Sequence, residues 1–216
     1  MADWVTISAL ASAGGTLVLA GVTVASVRSA NRAARVAEQS LLAAQRPLLV
    51  QSRLDDATQK VGFSDDVWLI ARGGQGDARA TDEAVYFAIA VRNVGTGIAV
   101  LHGWHLFPEI QLGPDMTHTP LDDFTMLTRD LYIARDDAGF WQGAFRDSSS
   151  QEYRDARRAV EAPQRMSIDI LYGDFEGGQR AITRFLLSPL EGEDGVRWFA
   201  SVGRHWNVDR PEPREH

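Results

Sequence analysis

The sequence predicts a mainly β protein: an N-terminal transmembrane helix and helical stalk, then an antiparallel β-sandwich with one peripheral helix. Three observations carry that expectation. Trp4 to Val27 contains no charged residue. Arg28 to Gln45 is rich in helix formers and has neither Gly nor Pro. After Pro47, about eight or nine short runs of β-type residues recur between clusters of Gly, Asp and Pro, with no helical pattern between most of them.

The first stretch is apolar or small on every side, as a helix in lipid must be. At about 1.5 Å per residue it reaches about 36 Å, enough for a hydrocarbon core of about 30 Å with some tilt. Met1-Ala2-Asp3 has no basic residue, which argues against a cleaved secretory signal. Arg28, Arg32 and Arg35 follow the span and Asp3 precedes it. The positive-inside rule therefore predicts a single-pass plasma-membrane protein with its C-terminal domain in the cytoplasm and Trp4 at the outer interface. Membrane lipid is thus an expected partner of residues 4–27. Ser8/Ser12, Ala11/Gly15 and Gly21/Ala25 are small residues four apart. Such spacing lets helix backbones approach closely, so Ser8, Ser12, Ala11 and Gly15 are candidates for homodimerisation or partner-helix docking. The same residues equally suit a weakly apolar span.

Residues 28–46 form the expected stalk. Ala30, Ala33, Ala37, Leu41 and Ala44 make a narrow apolar stripe, and the helix is predicted to stop before Arg46-Pro47. Eighteen or so residues of helix add about 27 Å.

Charge separates the two parts. Residues 1–46 carry a net charge of +2 and the remainder −9. So acidic a domain argues against nucleic acid, whose phosphates need a basic face, and it is repelled by anionic headgroups. The chain has no cysteine, which excludes disulfides and thiolate metal sites.

In the β domain, residues 47–206, the clearest strand is Ala84 to Arg92. There Val85, Phe87, Ile89 and Val91 alternate with Tyr86, Ala88, Ala90 and Arg92. Other runs begin at Leu48, Val67, Ile98, Leu131, Phe140, Met166, Ala181 and Trp198. Arg72 to Gly76 reads as a loop. Asn93-Val94-Gly95-Thr96-Gly97 reads as a turn whose residues tolerate positive φ. One helix is predicted over Ser149 to Ala162, with a Ser149-x-x-Glu152 capping box, a face of Tyr153, Ala156 and Val160, and a stop at Pro163. The polar tail 207–216 is expected to be disordered.

The run Val91-Arg92-Asn93-Val94-Gly95-Thr96-Gly97-Ile98-Ala99 resembles the N-x-G-x-G-x-A strand–turn–strand signature of immunoglobulin-like sandwich modules in bacterial surface and envelope proteins. With the span, the Gln45-Arg46-Pro47 junction and the hairpin Tyr172 to Gly178, the layout is similar to uncharacterised single-span membrane proteins of actinobacteria. The resemblance implies a fold and a membrane placement. It implies no activity.

Candidate chemistry is sparse. His102 and His105 lie three apart in a strand, a spacing that turns their rings to opposite faces. Asp169, Asp174 and Glu176 lie on or near one hairpin but lack the ligand spacing of a calcium loop, and an exposed turn explains them equally. Ser148-Ser149-Ser150 lacks a nucleophile elbow, and Gly73-Gly74-Gln75-Gly76 lacks the Lys of a phosphate loop. Neither a cofactor nor a metal is expected, and an enzyme is the least favoured reading. Aromatic residues are the better lead. Among Trp104, Phe107, Phe140, Trp141, Phe145, Trp198, Phe199 and Trp206, those in loop-like contexts (Trp104, Trp141 and Trp206) are candidates for an exposed partner-binding patch. The sequence thus points to a membrane-anchored protein-interaction module for tethering or scaffolding. A membrane-attached sensory or small-ligand-binding module is the alternative, and it would need a pocket with convergent polar groups.

Overall fold

A computed structural model describes residues 4–192 and 195–209, with side chains at 4–18, 20, 39 and 42–44 outside the description. Two compact units result, one ending at Ala44 and one beginning at Gln45. The first is a single uninterrupted helix, α1 (Trp4–Ala44), so the expected span and stalk share one backbone element. Among the described residues no helix is both long and apolar enough to cross a membrane. Most side chains of the expected span, including those of Ser8, Ala11, Ser12 and Gly15, lie outside the described residues. Those described between Gly21 and Glu38 are exposed, and nothing stands within 4 Å of a side chain placed at Gly21.

The second unit is mainly β. Its strands are β1 (Leu49–Gln51), β2 (Gln59–Gly62), β3 (Trp68–Ala71), β4 (Gln75–Ala80), β5 (Val85–Asn93) and β6 (Ala99–Phe107). After a short 3-10 turn at Leu121–Asp123 come β7 (Thr125–Ile133), β8 (Ala138–Phe145), helix α2 (Gln151–Glu161), β9 (Met166–Gly173), β10 (Arg180–Gly192) and β11 (Gly195–Asn207). One antiparallel path runs β5-β4-β11-β10-β9-β6-β7, with β1 and β8 also paired to β5. Strands β2 and β3 form a separate two-stranded sheet. The main sheet curls around its core, so Val85, Phe87, Ile89 and Val91 of β5 share one cluster with Ile168, Ile170, Phe185 and Leu187.

Alternation along β5 is real, yet both faces are buried. The even-numbered side chains Tyr86, Ala88 and Ala90 pack against Val61, Leu69 and Ala71 of the β2–β3 hairpin. This hairpin covers what periodicity alone marks as the less apolar face. Likewise β9 is buried throughout: Ile168 and Ile170 face the core, while Leu171 lies with Ile182, Trp206 and Phe124 in a second cluster on the outer face.

Three expectations need correction. The α2 cap is Ser150, whose side chain accepts from the Tyr153 N–H at 3.1 Å; Ser149 is instead bonded to Asp147. The Asn93–Gly97 turn contains no positive φ. Its glycines answer a close approach: a Cβ on Gly97 would overlap the Gln45 carbonyl, and one on Gly95 the backbone of Arg46 and Leu48. Asn93, fully buried, holds that crossing by accepting from Leu48 N and Gly95 N and donating to Gly97 O and Ile133 O. Finally, order extends beyond residue 206. Asn207 ends β11, Val208 N donates to Arg180 O, and Arg180 pairs with Asp209 at 2.7 Å. The rest of the expected tail, 210–216, lies outside the described residues.

Candidate functional site

The three tryptophans expected at the surface are interior. Trp104, Trp141 and Trp206 are 2%, 0% and 3% exposed. Strand positions that read as loop contexts place Trp104 and Trp141 in contact, 5.4 Å between ring centres, with Phe145 tilted against Trp104 at 4.7 Å. Gly143 makes this possible, since a Cβ there would stand 2.8 Å from both indole rings. Trp206 belongs to the outer-face cluster. No partner-binding patch is formed by these rings.

What the surface offers is a seam. β7 pairs only with β6 and β8 only with β5, so each presents an edge without a ladder partner among the described residues. The two edges meet near their connecting hairpin, where Ile133 packs against Gly139. Further along, β7 bulges against β6: Leu101 pairs with Leu131 and Gly103 with Met126, so Leu127, Thr128, Arg129 and Asp130 stand opposite His102 alone. Beyond it opens a groove of about 460 Å³, floored by Trp104 and Gly143. Its sides are Met126 and its neighbours on β7, Gln142 to Ala144 on β8, and Phe63 and Trp68 of the β2–β3 hairpin. Trp68 and Met126 are more than half exposed, at 58% and 59%. Arg129 bridges the seam by donating to Gln142 Oε1 at 3.1 Å. Arg146, also at its edge, donates to Asp65, which accepts from Tyr86 as well. Those hydrogen bonds outweigh desolvation and hold the Asp65 carboxyl below its ordinary range, while burial first and Asp65 second push the Tyr86 phenol up.

A second cavity, about 500 Å³, lies beneath the loop joining β6 to β7. Arg184 and Asp169 are register partners on β10 and β9, directly opposite each other. Arg184 Nε and Nη2 grip the two Asp169 oxygens at 2.5 and 2.7 Å, with the side chains 2% and 0% exposed. Asp169 also accepts from Thr119 N and Oγ1, at 3.1 and 2.8 Å. The guanidinium carbon lies over the rings of Phe107 and Trp206, 4.6 and 5.0 Å from their centres. A buried charge needs such pairing, and here it has it. The cavity's other walls include His105, His118, Asp115 and Asp123.

Other candidates separate. Asp174, expected in an exposed turn, is 3% exposed and ties its hairpin by accepting from Gly178 N at 2.8 Å. His102 has its basicity lowered, chiefly by burial. Among the described residues, His, Cys, Asp and Glu form no group of three or more able to hold a metal ion. The sequence reading missed one polar knot altogether. Tyr172 and Thr183, both fully buried, meet His205 Nδ1 at 3.2 and 3.1 Å, and Leu49 N donates to the Tyr172 hydroxyl. Burial pushes the Tyr172 phenol up to about 12 and, with Arg46 nearby, His205 down to about 4. The signal available for both polar groups was a charged or hydroxyl residue inside an apolar run: Ile168-Asp169-Ile170 and Ile182-Thr183-Arg184-Phe185.

Set against known proteins, the chain matches no family model, no curated protein and no solved structure.

Proposed function

We propose that this chain is a membrane-anchored interaction module whose partner is an extended protein segment seated in the seam between β7 and β8. Two strand edges that lack ladder partners among the described residues, facing each other across a groove floored by aromatic side chains, carry the reading. Free strand edges supply main-chain donors and acceptors to an incoming strand, and the flanking pockets select its side chains. Trp68 and Met126 offer the apolar contact, Arg129 and Gln142 a polar one. The bulge at 127–130 fits the role too, since bulges recur at sheet edges, where they interrupt or end strand pairing.

The anchor in this proposal is Trp4 to Val27, on the strength of its lack of charge and of the helix that continues from it to Ala44. The arginines that follow favour a cytoplasmic β domain. Holding the domain in two dimensions raises its effective concentration near a membrane partner, which is the mechanism of a tether.

Peptides selected for binding to the full-length chain in detergent micelles test the seam. Their binding is expected to slow amide exchange at Thr125 to Asp130 and Gly139 to Phe145. The double substitution Trp68→Ser with Met126→Glu is expected to weaken them at least tenfold. Binders that leave those amides unprotected, or the absence of any binder, would refute the assignment.

A further inference from the structure

We propose that the cavity beneath residues 108–120 binds a small zwitterion, an α-amino acid being the simplest. This site is distinct from the seam and stands independently of it. The argument begins with hydrogen-bond capacity. A guanidinium has five N–H donors. In Arg184, Nε donates to Asp169 Oδ1, and Nη2 to Asp169 Oδ2 and to Thr117 O at 3.2 Å. Nη1 has no partner among the described residues, and it is not one of the sealed, unsatisfied atoms either. Arg184 lines the cavity. The residue as a whole is 1% exposed. A cation this enclosed, gripped at two points and flanked by two aromatic rings, is pre-organised to present one N–H edge to one place. A carboxylate or carbonyl oxygen is the acceptor that edge takes.

The surrounding charge narrows the choice. Asp169 neutralises Arg184, and its oxygens already accept four donors. Asp115 and Asp123 also line the cavity, so a bare anion would meet two carboxylates there. The histidines are fixed by the backbone. His118 Nδ1 lies 2.7 Å from Thr119 O and His105 Nδ1 lies 3.0 Å from Asp123 O. A carbonyl oxygen can only accept, so each Nδ1 carries a proton and each ring is held in place at the cavity wall. One enclosed donor edge beside two carboxylates complements a molecule that joins a carboxylate to an ammonium. About 500 Å³ is room for such a ligand with its water.

Equilibrium dialysis of the full-length chain in detergent micelles decides the matter, run at millimolar concentration against mixed amino acids, acetate and propionate, and methylamine and ethylamine. At least one amino acid is expected to be retained at least tenfold over every single-function compound. Asp115→Asn with Asp123→Asn, two exposed positions, is expected to lower that retention to the level of the simple carboxylates without moving the melting temperature. Arg184→Lys keeps the charge but loses the second terminal nitrogen, and is expected to abolish retention. Should Arg184→Lys fail to fold, the two aspartate substitutions decide alone. No retention of any amino acid, retention equal to that of acetate, or full retention by the aspartate variant overturns the proposal.

Discussion

Asp169→Asn is the substitution from which the most can be learned about how this sheet tolerates a charge inside it. The asparagine keeps shape and volume but replaces one acceptor oxygen with an N–H₂ group. With the N–H₂ group in place of Oδ1, Arg184 Nε loses its acceptor at 2.5 Å; in place of Oδ2, Arg184 Nη2 loses its acceptor at 2.7 Å and both Thr119 donors lose theirs. Arg184 Nη1 opens on the cavity, but the Asp169 side chain is 0% exposed, so water is kept from the side of the guanidinium where the partner is lost. Removing one member of such a pair costs about 3–5 kcal/mol, which is the desolvation of the charge left behind. Against a stability of about 5–15 kcal/mol this is a large fraction. With a urea dependence of about 2 kcal/mol per molar, the unfolding midpoint is expected to fall by about 1.5–2.5 M.

Tryptophan fluorescence of the full-length chain in micelles reads the transition. The companion double variant, Asp169→Leu with Arg184→Met, removes both charges and keeps apolar atoms between Phe107 and Trp206. It is expected to be more stable than either single variant, because no charge is then stranded. A loss below about 1 kcal/mol for Asp169→Asn, or a double variant worse than both singles, would show that water reaches the pair, and the reasoning fails.

The remaining predictions concern pH and the tryptophan core. His205 titrates near 4 in the folded chain against an ordinary 6.5, so between those values the unfolded state binds more protons. Stability is therefore full above about pH 6.5 and declines as pH falls toward 4, by about 2 kcal/mol once the ring's partial exposure is allowed for. Urea titrations at pH 7 and pH 4.5 check this, and His205→Gln should flatten the difference. Tyr172 acts at the other end: its phenol is held up to about 12, so stability is complete below pH 10 and falls as pH rises beyond it. Gly143→Ala places a methyl 2.8 Å from two indoles and is expected to cost about 1–3 kcal/mol by overpacking. Trp141 Nε1 is buried without a partner among the described residues, so Trp141→Phe should cost far less than the about 3–5 kcal/mol of Trp141→Ala; comparable losses for the two would count against this packing.

How much of this was legible in the residues follows from which forces act locally. Strands β5, β6, β8 and β9 announced themselves because their burial alternates or runs continuously, and period-2 sterics need no distant partner. Strands β2 and β4, Gln59–Gly62 and Gln75–Ala80, carry Gln, Lys, Gly, Asp and Arg, and they exist because neighbouring strands offer ladders to them. Propensity cannot show that. The far ends of β10 and β11 likewise pair with each other out to Gly192 and Gly195, with exposed side chains. The tryptophans were misplaced for a related reason. A Trp beside Gly or His reads as a loop residue, yet Gly143 is the space that the rings of Trp104 and Trp141 fill.

Asp169 and Arg184 stand on one line across the sheet because the Asp174 turn sets the register, so Asp169 was grouped with its sequence neighbours Asp174 and Glu176 and Arg184 was not marked at all. A charge embedded in each of two adjacent apolar runs is the pattern that would have paired them. The seam is less accessible still, since it depends on where a bulge falls in β7.

Extraction of native membranes with alkaline carbonate bears most directly on the account, because the tether requires Trp4 to Val27 to sit in lipid. The full-length chain is expected to stay in the pellet after high-speed centrifugation and to leave it only with detergent. Release into the carbonate supernatant would contradict the anchor, and with it the proposal that the seam works at a membrane.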